Sequence, residues 1–212
     1  MKDGVTIGVF GVQGDIEENI VATKKALKYM KVGGTVEPVR YSEEIEKVDS
    51  LILPGGESTV ISTLVAIQGG TLQTIKRLVS NGMPVMGTCA GMIMLSKRAY
   101  DRVVGETKQP LIGNLDIVVE RNAFGRQNDS FEADLEIPTL GENTFRGIFI
   151  RSPIVREVGN GVEVIATFNN KIVAVKQKNI FGTSFHPELS GDDRLHRQFI
   201  KTAMDFKKSQ YK

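Results

Sequence analysis

MPVMGTCAGMIML, residues 83 to 95, carries the only cysteine of the chain. A compact apolar run, Pro84-Val85-Met86, reads as a strand, and the apolar residues after Gly91 read as the start of a helix. Between them lies G-x-C-x-G, Gly87-Thr88-Cys89-Ala90-Gly91. A residue held at a sharp strand-to-helix turn takes a strained backbone conformation, and a glycine two positions to either side keeps neighbouring chain from colliding with it. Such an elbow belongs to an α/β sheet and exposes its side chain at the carboxyl edge. It also sets a sulfur over a helix N-terminus, whose dipole favours thiolate. An ordinary thiol with pKa near 8.5 is only about 3% ionised at neutral pH, so that environment bears directly on reactivity. A lone cysteine is more often a small buried hydrophobe. The paired glycines favour a nucleophile.

Outward from the elbow, strands alternate with helices. VTIGVF (5 to 10) leads to DIEENIVATKKALKYM (15 to 30), where Asp15 and Glu18 are spaced as a capping box and Gly33 lies just beyond the end. TVEPVR (35 to 40), SLILP (50 to 54) and MPVMG (83 to 87) are further strand-like runs, with helical patterns over 58 to 67 and 71 to 80. This alternation predicts a flavodoxin-like, mostly parallel open sheet covered by helices on both faces. After residue 110 the texture changes. LIGNLDIVVE, SFEADLEI, TFRGIFI, VEVIATF, KIVAVKQ and NIFGTSF follow one another through Gly and Asn turns, which predicts additional antiparallel strands in the C-terminal half. A last helix over 192 to 208 aligns Leu195, Phe199, Ala203 and Phe206 on one stripe.

Composition narrows the function classes. The 212 residues have globular proportions, 41% hydrophobic and 25% charged, which a single domain accommodates. Lys plus Arg number 27 against 25 Asp plus Glu, without a like-charge run, so nucleic acid is not an expected partner. No apolar run approaches membrane-spanning length and no signal-peptide core follows Met1, so the reading is a soluble cytoplasmic protein. One cysteine and two histidines make neither an internal disulfide nor a usual zinc site, and no metal or cofactor is expected.

A cysteine nucleophile needs a base. His196, between Arg194, Arg197 and Gln198, reads as part of a solvated helix face. His186 ends a strand in SFHPEL, and in extended backbone Glu188, two residues on, points to the same side and can orient the imidazole. The turn LILPGGES (51 to 58) runs a strand into Pro-Gly-Gly and a helix start. Its Gly55 and Gly56 N–H groups, with that of Ala90, suit an oxyanion. It lacks the Gly-Lys-Ser/Thr of a Walker loop, and GVFGVQG (8 to 14) is not spaced as a dinucleotide fingerprint.

GTCAG, SFHPE and LPGGEST together resemble the class I glutamine amidotransferases, whose glutaminase domain uses a Cys-His-Glu triad. GVFGVQGD, ERNAFGRQNDSFEADL (120 to 135) and FIRSP (149 to 153) narrow the resemblance to the glutaminase subunits of pyridoxal 5′-phosphate synthase, the PdxT type, across nearly the whole chain. The segment 96 to 109 is somewhat longer than usual in that family. The resemblance implies hydrolysis of L-glutamine to glutamate and ammonia through a glutamyl thioester. Ammonia would pass to a synthase subunit of the PdxS type, within a large hetero-oligomer, for vitamin B6 biosynthesis. It implies attack by Cys89, proton shuttling by His186 and orientation by Glu188. Substrate binding falls on Gly56, Glu57, Ser58, Arg121, Ile150 and Arg151, and partner-linked activation on Gln13 and Gly14. The alternatives are a glutaminase serving another amidotransferase, a different cysteine hydrolase, or a binding protein whose Cys89 is shielded.

Overall fold

The computed structural model describes residues 4–124 and 130–210. In chain order its elements are β1 (Val5–Phe10), α1 (Ile16–Met30), β2 (Gly34–Val39), α2 (Ser42–Ile45), β3 (Ser50–Leu53), α3 (Ser58–Ile67), α4 (Thr71–Ser80), β4 (Val85–Thr88) and α5 (Ala90–Leu95). Then follow β5 (Ser96–Asp101), β6 (Gly105–Glu106), β7 (Leu115–Glu120), β8 (Ser130–Leu135), β9 (Phe145–Ile150), β10 (Ile154–Val158), β11 (Glu163–Phe168), β12 (Lys171–Gln177), β13 (Ile180–Thr183) and α6 (Arg194–Ser209).

The main sheet runs β2-β1-β3-β4-β13-β12-β10-β7-β5-β6, with β11 paired to β12, while β8 and β9 form a separate hairpin. Strands β2, β1, β3, β4 and β13 are parallel neighbours, and antiparallel pairs dominate beyond them. The expected parallel sheet with added antiparallel strands is therefore present. Segment 96 to 109 is not a loop throughout: β5 and β6 form a hairpin whose tip exposes Val103 and Val104.

Alternation along each strand sorts the core into two layers. Leu51 and Leu53 of β3 and Val85 of β4 pack with Ile61, Val65, Ile75 and Val79 from α3 and α4. Ile52 and Met86, one residue out of phase, pack with Ile20 and Leu27 of α1 and with Leu195, Phe199 and Ile200 of α6. Both faces are thus covered. The methionines around the elbow, Met83, Met86, Met92 and Met94, are buried among these side chains and fill the core.

Two local expectations are overturned. The capping box at the start of α1 does not form, because the Asp15 side chain makes no cap hydrogen bond and is turned elsewhere. His196 is not on a solvated face. It is fully buried, one residue after Leu195 on the inner side of α6. The flanking arginines suggested solvent, but a helix with an apolar stripe this wide buries adjacent positions as well.

Candidate active site

The sheet order explains why distant stretches meet. Strand β13 is the last in sequence, yet it lies parallel to β4 with Thr183 opposite Thr88, and β3 flanks β4 on the other side with Leu53 opposite Gly87. The chain therefore leaves β3, β4 and β13 side by side at their carboxyl ends, where open α/β sheets place their ligands. The Cys89 N–H donates to the Thr183 carbonyl across 2.8 Å, which ties the elbow to the strand that carries the histidine.

Cys89 has φ of 48° and ψ of −103°, the strained conformation that the sequence predicts, and α5 begins at Ala90. The glycines are required by contact. A Cβ on Gly91 would stand 2.0 Å from the Leu53 carbonyl oxygen, and one on Gly87 would lie 2.5 Å from the Gly91 carbonyl carbon. As the first helical residue, Ala90 has an N–H without an intrahelical acceptor. The thiol points at the Ile150 carbonyl oxygen, 3.9 Å away, and lines the same cleft as His186.

His186 and Glu188 flank the start of a short 3-10 turn over Pro187–Leu189. Glu188 Oε1 lies 2.8 Å from His186 Nδ1, with the carboxylate side chain wholly buried. A second carboxylate is present that sequence reasoning missed: Asp15 Oδ2 stands 3.1 Å from the same nitrogen. Its position in a capping-box spacing disguised it. With Nδ1 occupied, Nε2 is left for the thiol. Burial alone would hold the imidazole pKa down, but hydrogen bonds with Asp15, Cys89 and Glu188 outweigh it and push it up to about 12. Burial also pushes the Glu188 carboxyl up, against the pull of the imidazole. Two carboxylates on one nitrogen favour the imidazolium.

These residues open into a cleft of about 740 Å³, lined in part by Gln13, Gly56, Ser58, Ile93, Asn122 and Phe124. Glu57, Arg121, Ile150 and Arg151 also line it. Glu57 accepts from Arg121 across 3.0 Å, and Ser58 presents a buried hydroxyl without a hydrogen-bond partner among the described residues. Gln13 Oε1 accepts from the Glu57 N–H at 2.9 Å, and the Asp15 N–H donates to the Gly55 carbonyl at 3.1 Å. Residues 13 to 15 are thereby stitched to the glycine turn, with Gly14 against Gly55. Across the cleft, β9 is held by stacking of Phe149 on Phe131, ring centroids 4.6 Å apart, and by donation from the His186 N–H to the Ile148 carbonyl. Every site residue singled out in the sequence is thus in or directly behind this cleft. Of the ERNAFGRQNDSFEADL stretch, residues 125–129 lie outside the described residues. Asp101, Arg102 and Val103, from the β5–β6 hairpin, also reach the cleft, and no motif in the sequence pointed to them.

A thiol in an elbow, a base held by carboxylates and a cleft sized for a small polar molecule fit amide hydrolysis, and comparison with known proteins decides the family. The model of the SNO glutamine amidotransferase family matches residues 9–205. The chain belongs to the SNO glutamine amidotransferase family. Among its relatives, a protein named pyridoxal 5′-phosphate synthase subunit PdxT from Archaeoglobus fulgidus is 49% identical over 92% of this chain and 96% of that one. One of the same name from Nitrosopumilus maritimus is 45% identical over 95% and 98%. A solved glutamine amidotransferase, 42% identical, superposes with a TM-score of 0.79 over 93% of this chain and 98% of that one. A glutamine amidotransferase from Thermotoga maritima, at 12% identity and a TM-score of 0.57, shares the fold. Among the described residues no helix is long and apolar enough to cross a membrane.

Proposed function

We propose that this SNO-family chain is the glutaminase subunit of a pyridoxal 5′-phosphate synthase. In this reading Cys89 Sγ attacks the side-chain carbonyl carbon of L-glutamine. The thiol proton rests on His186, and the Ala90 N–H with the Gly55-Gly56 turn faces the oxyanion. His186 returns the proton to the departing nitrogen, ammonia leaves, and a glutamyl thioester remains. Water, deprotonated by the same imidazole, hydrolyses it to glutamate and restores the thiol. Arg121 or Arg151 matches the substrate α-carboxylate, and Glu57 with nearby carbonyls matches its ammonium. Ammonia passes to a PdxS-type synthase subunit in a hetero-oligomer. Docking of that subunit completes the oxyanion site through Gln13 and Gly14, which already grip the turn.

The observation that carries the reading is the pairing of Thr88 with Thr183, which delivers an elbow cysteine and a carboxylate-held imidazole to one sheet edge. The test is glutamate and ammonia release from L-glutamine, with and without a PdxS-type subunit. Turnover that rises on assembly and vanishes in Cys89→Ala supports the proposal. Turnover that survives Cys89→Ala removes the nucleophile. Equal rates with and without the partner remove the gating.

A further inference from the structure

We propose that Asp15 is a positioning residue, a second carboxylate beside Glu188 that grips His186 at Nδ1 and keeps the imidazole protonated and aimed at Cys89; this rests on the Cys89–His186 reading above.

Asp15 occupies the N-cap of a 15-residue helix, where an aspartate ordinarily accepts from the free N–H groups of the first turn. It gives up that role and places Oδ2 3.1 Å from His186 Nδ1. Its main chain is fixed independently, with the N–H on the Gly55 carbonyl and the carbonyl accepting from the Asn19 N–H and from Asn19 Nδ2. The side chain is therefore aimed by a rigid frame. The two carboxylates are not equivalent. Glu188 is sealed from solvent and its Oε2 has no partner among the described residues, whereas Asp15 is 36% exposed and lines the cleft. A neutral imidazole offers one N–H to two converging negative charges; an imidazolium neutralises one of them, so both carboxylates favour the cation. The titratable groups against the ring are Asp15 from the start of α1, Cys89 from the elbow and Glu188 from its own turn. Asp15 also holds the Gly55 carbonyl, so one residue contacts both the base and the oxyanion turn.

Asp15→Asn keeps the main-chain contacts, and Asp15→Ser is a second variant with a good capping side chain. Because the native side chain caps nothing, neither variant loses a helix cap. Imidazole nitrogen shifts of the full-length protein, followed by NMR to pH 11, report His186 directly, with His196 as the internal reference. Each variant should lose imidazolium at lower pH than the parent and hold a smaller imidazolium fraction at the alkaline end of that range. Equal imidazolium fractions in the parent and both variants across that range overturn the proposal, and glutaminase activity of the same samples with the partner present then still reports on the underlying reading. If Asp15→Asn lowers the imidazolium fraction while Cys89→Ala leaves it in place, the Asp15 contact stands and the Cys89–His186 pairing fails.

Discussion

Lowering the pH from 7 to 5 should cost this protein stability through one side chain remote from the cleft, His196. It is fully buried on α6, and neither ring nitrogen has a hydrogen-bond partner among the described residues. Burial drives its pKa down from 6.5 to about 4, against the opposing charges of Asp193 and Asp192. The native state therefore holds His196 neutral while the unfolded chain takes up a proton below pH 6.5. Its contribution to stability is complete above 6.5 and is lost as the pH falls through about 4. At pH 5 the loss is about 2 kcal/mol, from roughly 1.5 units below the unfolded value at 1.36 kcal/mol each. His186, whose raised pKa adds stability as the pH falls toward 6.5, acts equally in wild type and His196→Leu and cancels in the comparison. His196→Leu removes the titration and, by replacing an unpaired polar ring with an apolar side chain, should be close to neutral at pH 7. The chain has no tryptophan, so urea unfolding is followed by far-UV circular dichroism at pH 7, 6 and 5. Wild type should lose about 2 kcal/mol more than the variant across that range. Parallel pH dependences in the two proteins, at equal m-values, would refute the reasoning.

Gly91→Ala forces a Cβ to within 2.0 Å of the Leu53 carbonyl oxygen; thermal melts should show a loss of about 1–3 kcal/mol, with slower alkylation of Cys89. Glu188→Gln removes the buried carboxylate from Nδ1; in the assembled complex kcat should fall on the order of 10²–10⁴-fold, as read by glutamate release, and a fall under tenfold would leave orientation to Asp15. Arg121→Gln should raise KM for glutamine roughly 10- to 100-fold, the worth of a charge-assisted hydrogen bond, with kcat much less affected in the same steady-state assay.

Much of the site was legible because its chemistry depends on local geometry. The G-x-C-x-G spacing encodes a strained turn and close backbone approach, and both are present at Cys89 and Gly91. His186 and Glu188 are two residues apart and do meet, although through a 3-10 turn over Pro187–Leu189 and not through the extended backbone that the sequence suggested. What was not legible depends on pairings far apart in sequence. Asp15 reaches His186 only because β1 and β13 end at the same sheet edge, and nothing in DIEEN distinguishes a cap from a ligand of an imidazole. His196 was misread for the same reason, since its burial is decided by α1 and the sheet rather than by its charged neighbours. The hairpin of β5 and β6 left a weak signal because β6 is two residues long.

The most direct test of the central claim is where a glutamine-mimicking electrophile attaches. The protein, together with a PdxS-type subunit, is treated with 6-diazo-5-oxo-norleucine and the adduct is mapped by mass spectrometry. One adduct per chain, on Cys89, suppressed by L-glutamine and absent from Cys89→Ala, is the result expected of a thiol activated by His186. An unlabelled Cys89, or labelling that glutamine does not compete, would contradict the account.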